Sequence, residues 1–306
     1  MPTIDPLGTG PRDDRPLNAL TVDVEEYFHA EALASVAARE HWESLPSRVV
    51  ASTERLLDLF DRAGVTGTFF VLGWTAERHG PLVRRIADAG HEIACHGYSH
   101  RLVYRQPREQ FRQETRRARS LLQDLTGQTV AGYRAASFSI VRESLWALEE
   151  LAAAGFEYDS SIFPIRHDVY GMPEAPTRPF RVDTEAGSLI EFPLSTARIG
   201  GLRLPASGGG YFRLLPLPIG LKLLDAVNAT GDPFIFYMHP WEIDAAQPRF
   251  ALGMRSRLRH YTNLSRFERK LERLLGRYRL GRMDAMAANH GVGPAVETVP
   301  VEHLAA

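Results

Sequence analysis

Short apolar runs recur along this chain, and between several of them lie amphipathic stripes that each stop at a glycine. The runs are Leu20–Val24, Thr68–Leu72, Glu92–Cys95, Val130–Tyr133, Phe156–Tyr158, Leu189–Phe192 and Phe234–Met238. Val49, Val50, Thr53, Leu56, Leu57 and Phe60 recur at the spacing of one helix face and stop at Gly64. Leu82, Val83 and Ile86 stop at Gly90, and Phe111, Thr115, Ala118, Leu121, Leu122 and Leu125 stop at Gly127. Leu145, Leu148, Leu151 and Ala152 stop at Gly155. Parallel strands need a crossover to carry the chain back, and helices that supply it cover both faces of the sheet. The alternation therefore predicts an α/β fold on a parallel sheet. Seven strands suit a barrel with fewer than eight units, and an open doubly wound sheet is the alternative.

The rhythm breaks between Ser160 and Pro216, where prolines and glycines accumulate, among them Gly208-Gly209-Gly210. Long loops are expected there, with a hairpin near Phe180–Phe192 over one face. A helix is expected over Leu264–Tyr278, from apolar Leu264, Phe267, Leu271, Leu274 and Leu275. Residues 1–17 read as a flexible tail, 18–280 as one domain with a C-terminal helical extension, and 281–306 as a poorly ordered tail. With 44% hydrophobic and 24% charged residues the chain has ample core. The 36 basic and 37 acidic side chains nearly cancel, so whole-chain attraction to nucleic acid is not indicated. No apolar stretch resembles a signal peptide or reaches the roughly 18 residues of a membrane span. The single cysteine, Cys95, cannot form an internal disulfide. These features predict a soluble, cytoplasmic protein without an integral membrane segment, and leave a homo-oligomer open.

Chemistry concentrates in His91-Glu92-Ile93-Ala94-Cys95-His96-Gly97-Tyr98-Ser99-His100. It reads as a strand that delivers two imidazoles four residues apart, with a glycine between them to turn the backbone. Such a pair can converge on one cation such as zinc. A carboxylate partner lies upstream, at the end of the run Leu20-Thr21-Val22-Asp23-Val24-Glu25-Glu26. Strand side chains alternate, so Asp23 and Glu25 share a face. Glu25 is the expected ligand, with Glu26 as the alternative if the strand end twists. Two imidazoles and one carboxylate leave a coordination position open for water, the layout of a hydrolytic centre.

Several motifs follow in a known order: Thr21-Val22-Asp23-Val24-Glu25, Thr66-Gly67-Thr68-Phe69-Phe70, His96-Gly97-Tyr98-Ser99-His100, Tyr133-Arg134 and Tyr237-Met238-His239-Pro240. Together they resemble the polysaccharide deacetylases of carbohydrate esterase family 4, the NodB-homology enzymes, over about residues 20–242. Asp-Val-Glu-Glu-Tyr-Phe-His, Tyr-Asp-Ser-Ser-Ile-Phe-Pro, Gly-Gly-Gly-Tyr-Phe-Arg and His-Tyr-Thr-Asn-Leu resemble its exosortase (PEP-CTERM) and exopolysaccharide-associated branch, to about Tyr278. The resemblance implies a distorted (β/α)7 barrel and metal-dependent removal of acetyl groups from an N-acetylated carbohydrate. It implies His96 and His100 as ligands of a divalent metal, Asp23 as base, Arg134 as its partner and His239 as acid. Asp159, in the position of the fourth motif, is expected to orient His239. One departure stands out: Val24 replaces the second aspartate of the usual pair, and Glu25 resembles the displaced ligand of Asp-x-Glu variants. Elementary chemistry fits these roles, because a metal acidifies water, a cation keeps Asp23 ionised, and an amine leaves only when protonated. A backbone N–H from the loop after Arg134 is expected at the oxyanion. His29, Tyr211 and Trp241 are candidate substrate contacts. The rival readings are a hydrolase of a small non-sugar amide or ureide, with or without metal, and a silent glycan-binding or scaffold protein.

Overall fold

A computed structural model describes residues 15–293 and 296–305. Its first strand, β1 (Asn18–Val24), is buried along its whole length. Leu20, Val22 and Val24 enter one apolar core while Ala19 enters another. The same split runs through β2 (Thr68–Val71) and β3 (Glu92–Cys95): Phe69, Val71, Ile93 and Cys95 lie on the first side, Phe70 and Ala94 on the second. It recurs in β10 (Ile235–Met238), where Phe236 and Met238 oppose Ile235 and Tyr237. A two-residue period with apolar residues on both faces is what a barrel strand needs, one face under helices and one inside.

The sheet also contains β4 (Gly132–Tyr133), β5 (Tyr158–Asp159), β6 (Phe180–Thr184) and β7 (Gly187–Glu191). Its order is β10-β1-β2-β3-β4-β5-β7-β6, and β11 (Leu280–Gly281) also pairs with β1. Every neighbouring pair is parallel except the β6–β7 hairpin. The expected hairpin near Phe180–Phe192 therefore exists, but as part of the main sheet. Among the described residues no backbone ladder closes the sheet between β7 and β10. Ser195 spans that seam by accepting the Ile235 N–H on Oγ at 2.8 Å. The fold is a distorted β/α barrel with a mostly parallel sheet.

Helices α1 (Val49–Ala63), α2 (Gly73–Arg78), α3 (Gly80–Asp88), α4 (Arg108–Thr126) and α5 (Trp146–Ala153) follow the first four strands. Gly64 and Gly127, with φ of 63° and 66°, end α1 and α4 in the left-handed conformation that glycine adopts without penalty. The Ser160–Pro216 stretch holds more structure than its composition suggests. Beyond β6 and β7 it folds a second hairpin, β8 (Thr196–Ile199) and β9 (Leu202–Pro205), and a short helix α6 (Gly209–Leu214). Then come α7 (Leu217–Asn228), α8 (Met254–Tyr261) and α9 (Leu264–Leu275). The expected poorly ordered tail past Gly281 instead carries α10 (Met283–Asn289) and α11 (Val301–Ala305). Met283 and Met286 of α10 enter the barrel interior, and the Met283 N–H reaches Thr68 Oγ1 at 2.8 Å. Two buried methionines suffice for that seat, too few to give a legible helical stripe. The expected N-terminal tail falls mostly on residues 1–14, outside the described residues. No helix among the described residues is long and apolar enough to cross a membrane.

Helices α4 and α5 are joined by Glu150, whose side chain is 3% exposed. Arg112 donates to it at 2.6 and 2.9 Å, and Arg108 donates to the same carboxylate. Arg112 first, then Arg108, holds the Glu150 carboxyl down to about 2. A depressed carboxylate stabilises the fold above its unfolded pKa, near roughly 4.3, and that contribution is lost as pH falls through the folded value. Glu150→Gln, which cannot ionise, is therefore expected to melt below the wild type at neutral pH. The two melting curves should converge as pH drops from about 4 towards about 2, which thermal unfolding across that range measures. A gap that persists at the acid end would show that Glu150 acts through packing alone.

Candidate active site

The site forms where the carboxyl ends of β1, β3, β4 and β10 meet. Alternation along β1 turns Asp23 inward, and Glu25 follows just past the strand. β3 ends at Cys95 and delivers His96, after which Gly97, at φ 74°, turns the chain to bring His100 back. His96 donates from Nδ1 to the Arg134 carbonyl oxygen at 2.9 Å, which leaves Nε2 as the free donor atom. That Nε2 lies 3.8 Å from Glu25 Oε2, and His100 Nε2 lies 2.5 Å from the same oxygen. One ligand atom from each of Glu25, His96 and His100 falls within 4.8 Å of the others, and all three residues are buried. Beyond these two imidazole nitrogens Glu25 Oε2 has no polar contact among the described residues, while its sister oxygen accepts Trp241 Nε1–H at 3.2 Å. A buried carboxylate oxygen gathered with two imidazole nitrogens is a donor set that could hold a divalent ion. Burial works against the Glu25 charge, yet His100, His96 and His239 hold its carboxyl well below the usual range.

Glu26 points elsewhere. It accepts the Arg48 N–H at 2.9 Å and the Ser47 hydroxyl, so it braces the entry to α1. The expected ligand, Glu25, is thus the one in the cluster.

Asp23, 1% exposed, accepts Arg134 Nη1 on Oδ1 at 2.8 Å. Arg134 is fully buried and spends its other donors on Thr21 Oγ1, the Ser160 carbonyl and Ser160 Oγ at 2.8–3.1 Å. The other Asp23 oxygen faces His239 Nε2 at 3.9 Å, and that nitrogen is 3.7 Å from Glu25 Oε1. His239 Nδ1 faces Glu242 Oε2 at 3.3 Å, and its ring stacks on Trp241 at 5.0 Å. Burial disfavours an imidazolium here, but Glu242, Glu25 and Asp23 prevail and lift His239 to about 9.

Asp159 does not orient His239. It lies on β5, separated from β10 by four strands along the sheet order. Its Oδ1 accepts the Ser161 hydroxyl at 2.5 Å, and Ser161 Oγ in turn accepts the Ala135 N–H at 2.8 Å. Burial pushes Asp159 up to about 6 against the lowering effect of its hydrogen bond with Glu191, while burial and the Asp159 charge push Glu191 well up, as expected of two acids sharing a proton. The pair supports the loop after Arg134 from beneath. Glu242 holds the position expected of Asp159. The signal for it was local: Pro240 opens a turn in which residue i+3 returns to its histidine.

In that supported loop Ser137 and Phe138 both adopt left-handed φ, 49° and 52°. Such strain in non-glycine residues collects at functional sites. Ser161 already binds the Ala135 N–H, and Ser137 lines the cleft. A cavity of about 350 Å³ opens over the cluster, its wall formed by Ser137, Phe138, Tyr170, Trp241, Ser256 and Arg259. Of the candidate substrate contacts, Trp241 lines it. Tyr211 stands behind Tyr170, the hydroxyls 3.1 Å apart. His29 is packed under His100, ring centroids 5.7 Å apart, between Trp42 and Trp74.

Residues 42–156 match the family described as polysaccharide deacetylase, and residues 160–288 match a domain of unknown function, DUF3473. A peptidoglycan deacetylase of Helicobacter pylori is 34% identical over 110 residues, 35% of this chain and 36% of that one. A peptidoglycan-N-acetylglucosamine deacetylase of Bacillus cereus is 32% identical over 99 residues, 32% of this chain and 36% of that one. The chain thus spans about a third of the length of these relatives. Among solved structures, a Mycobacterium smegmatis protein provisionally assigned as a polysaccharide deacetylase superposes with a TM-score of 0.61 at 22% identity, over 95% of this chain and 96% of that one. Puue allantoinase superposes with a TM-score of 0.55 at 17% identity, over 94% and 97%. These two likenesses concern the fold.

The geometry separates ligands from neighbours in a way that metal analysis of purified variants can read. Glu25→Ala, His96→Ala and His100→Ala are each expected to lose a bound divalent ion, whereas Asp23→Asn and Glu26→Gln keep it. Loss of the ion from Glu26→Gln with retention in Glu25→Ala would reverse the assignment of the carboxylate.

Proposed function

We propose, from the polysaccharide deacetylase match over residues 42–156 and the geometry of the site, that the chain hydrolyses the N-acetyl groups of an N-acetylhexosamine-containing polysaccharide or oligosaccharide in exopolysaccharide biosynthesis. One observation carries the reading. A carboxylate clamped by a buried guanidinium and a histidine held by a carboxylate face each other across a Glu-His-His cluster, inside one cleft.

Each group has a chemical task. Asp23 takes the proton of the attacking water, and Arg134 pairs its charge and fixes that carboxylate in direction. Water adds to the amide carbonyl carbon, and the Ser137 N–H stabilises the resulting oxyanion. When the C–N bond breaks, the nitrogen takes a proton from His239 Nε2, so that acetate and a free amine leave. The neighbouring carboxylates keep His239 charged at neutral pH, as a proton donor must be. A divalent ion, zinc by its imidazole and carboxylate donors, would be held by Glu25, His96 and His100 and would polarise the carbonyl and acidify the water. Trp241 and Tyr170 offer flat faces to a sugar ring.

Acetate release from N-acetylglucosamine oligomers tests the proposal. Asp23→Asn and His239→Ala are each expected to lower turnover by roughly 10²–10⁴-fold, the usual contribution of a positioned base or acid. Hydrolysis of a small ureide with no acetate release from any oligomer would favour the rival amidohydrolase. Glycan affinity without turnover would favour a silent binding protein.

A further inference from the structure

His239 is held from behind by a buried charge pair in the part of the chain that matches only the domain of unknown function. Glu242 accepts the His239 backbone N–H on Oε2 at 3.1 Å and faces Nδ1 with the same oxygen. Its Oε1 accepts Arg213 Nε at 2.8 Å, and both Glu242 and Arg213 are fully buried. Arg213 gives its remaining donors to the end of α8: the carbonyls of Arg259 at 3.0 Å, His260 at 3.2 Å and Thr262 at 2.6 Å. The glycine run seats this arrangement. A Cβ on Gly209 would lie 2.0 Å from Glu242 Oε2, and one on Gly208 would lie 2.5 Å from Tyr237 Cζ. Only a bare backbone lets α6 approach closely enough for Arg213 to reach the carboxylate.

A buried ion pair is a poor device for stability, since apolar residues of similar volume often serve as well or better. What apolar residues cannot provide is a fixed negative charge at one imidazole nitrogen. With Nδ1–H directed at Glu242, Nε2 is aimed into the cleft, where it faces Asp23 and Glu25. The same guanidinium fixes the carboxyl end of α8, which contributes Ser256 and Arg259 to the cleft wall. We infer that Glu242, fixed by Arg213, is the positioning residue of the His239 proton donor, so that the second half of the chain supplies the acid's support in place of Asp159. The inference rests on the reading of the site as an amide hydrolase.

Leaving-group chemistry tests it. An amine departs only when protonated, whereas a nitrophenolate departs as the anion, so an aryl acetate ester needs no acid. Wild type, Glu242→Gln, Gly209→Ala and a reference His239→Ala are compared on N-acetylglucosamine oligomers and on p-nitrophenyl acetate, with metal content measured in each. Glu242→Gln is expected to lose roughly 10–100-fold in kcat on the amide with little change in KM or metal content, the scale of a lost support behind a functional histidine. Its ester hydrolysis should stay within about twofold, and Gly209→Ala should show the same selectivity. The double variant Arg213→Met/Glu242→Met strands no charge in the core and should share the amide-specific loss. An amide-to-ester ratio equal to wild type in Glu242→Gln or in the double variant would overturn the inference, as would an equal loss on both substrates. Wild-type protein that cleaves the ester but no N-acetyl amide would instead refute the deacetylase reading itself.

Discussion

One buried guanidinium organises the interior of this barrel. Arg134 reaches Asp23 and Thr21 on β1 and Ser160 after β5, while its own carbonyl fixes the His96 imidazole on the β3 loop. It also lies over the Phe70 ring, 4.0 Å from the centroid, on β2. Charge is expensive to bury, and here the expense is offset because Asp23 and the neutral acceptors engage all three guanidinium nitrogens. Remove the guanidinium and the buried Asp23 carboxylate loses its charge partner, a situation that costs about 3–5 kcal/mol. The direction of the Asp23 carboxylate, the His96 tautomer and the strand spacing all follow from one residue.

A second constraint is the alternation along each strand. Odd and even positions of β1, β2, β3 and β10 enter different cores, so a strand cannot shift by one residue without exchanging polar site groups for helix-facing apolar ones. Asp23 and Thr21 face inward because Leu20, Val22 and Val24 face outward. The catalytic geometry is thereby tied to the hydrophobic packing, and neither can drift alone.

Much of this was legible because it is local. Seven apolar runs correspond to the seven strands of the parallel path, and the histidine loop announced its own geometry through spacing and Gly97. Period-two reasoning separated Glu25 from Glu26. The partner of His239 was not legible from the family pattern, because a carboxylate three residues downstream does the work that the resemblance assigned to a distant strand. Helix α6 was hidden by the glycines that make it functional: Gly208 and Gly209 weaken helix propensity, yet close approach to Tyr237 and Glu242 requires them. α10 was missed because its seat depends on tertiary contact with the barrel floor.

The pairing of β1 with β10 carries a further consequence for how the protein is made. Residues Ala19–Val22 find their partners at Ile235–Met238, more than two hundred positions later. On the ribosome, the first strand therefore waits with one edge unpaired until most of the polypeptide has emerged, and an unpaired apolar edge invites association with other chains. Closure over so large a separation is slow compared with local hairpins and helices. The nascent chain is thus exposed to chaperone capture for much of its synthesis. The candidate site is assembled late and all at once, when the strand leading to His239 docks beside the one bearing Asp23.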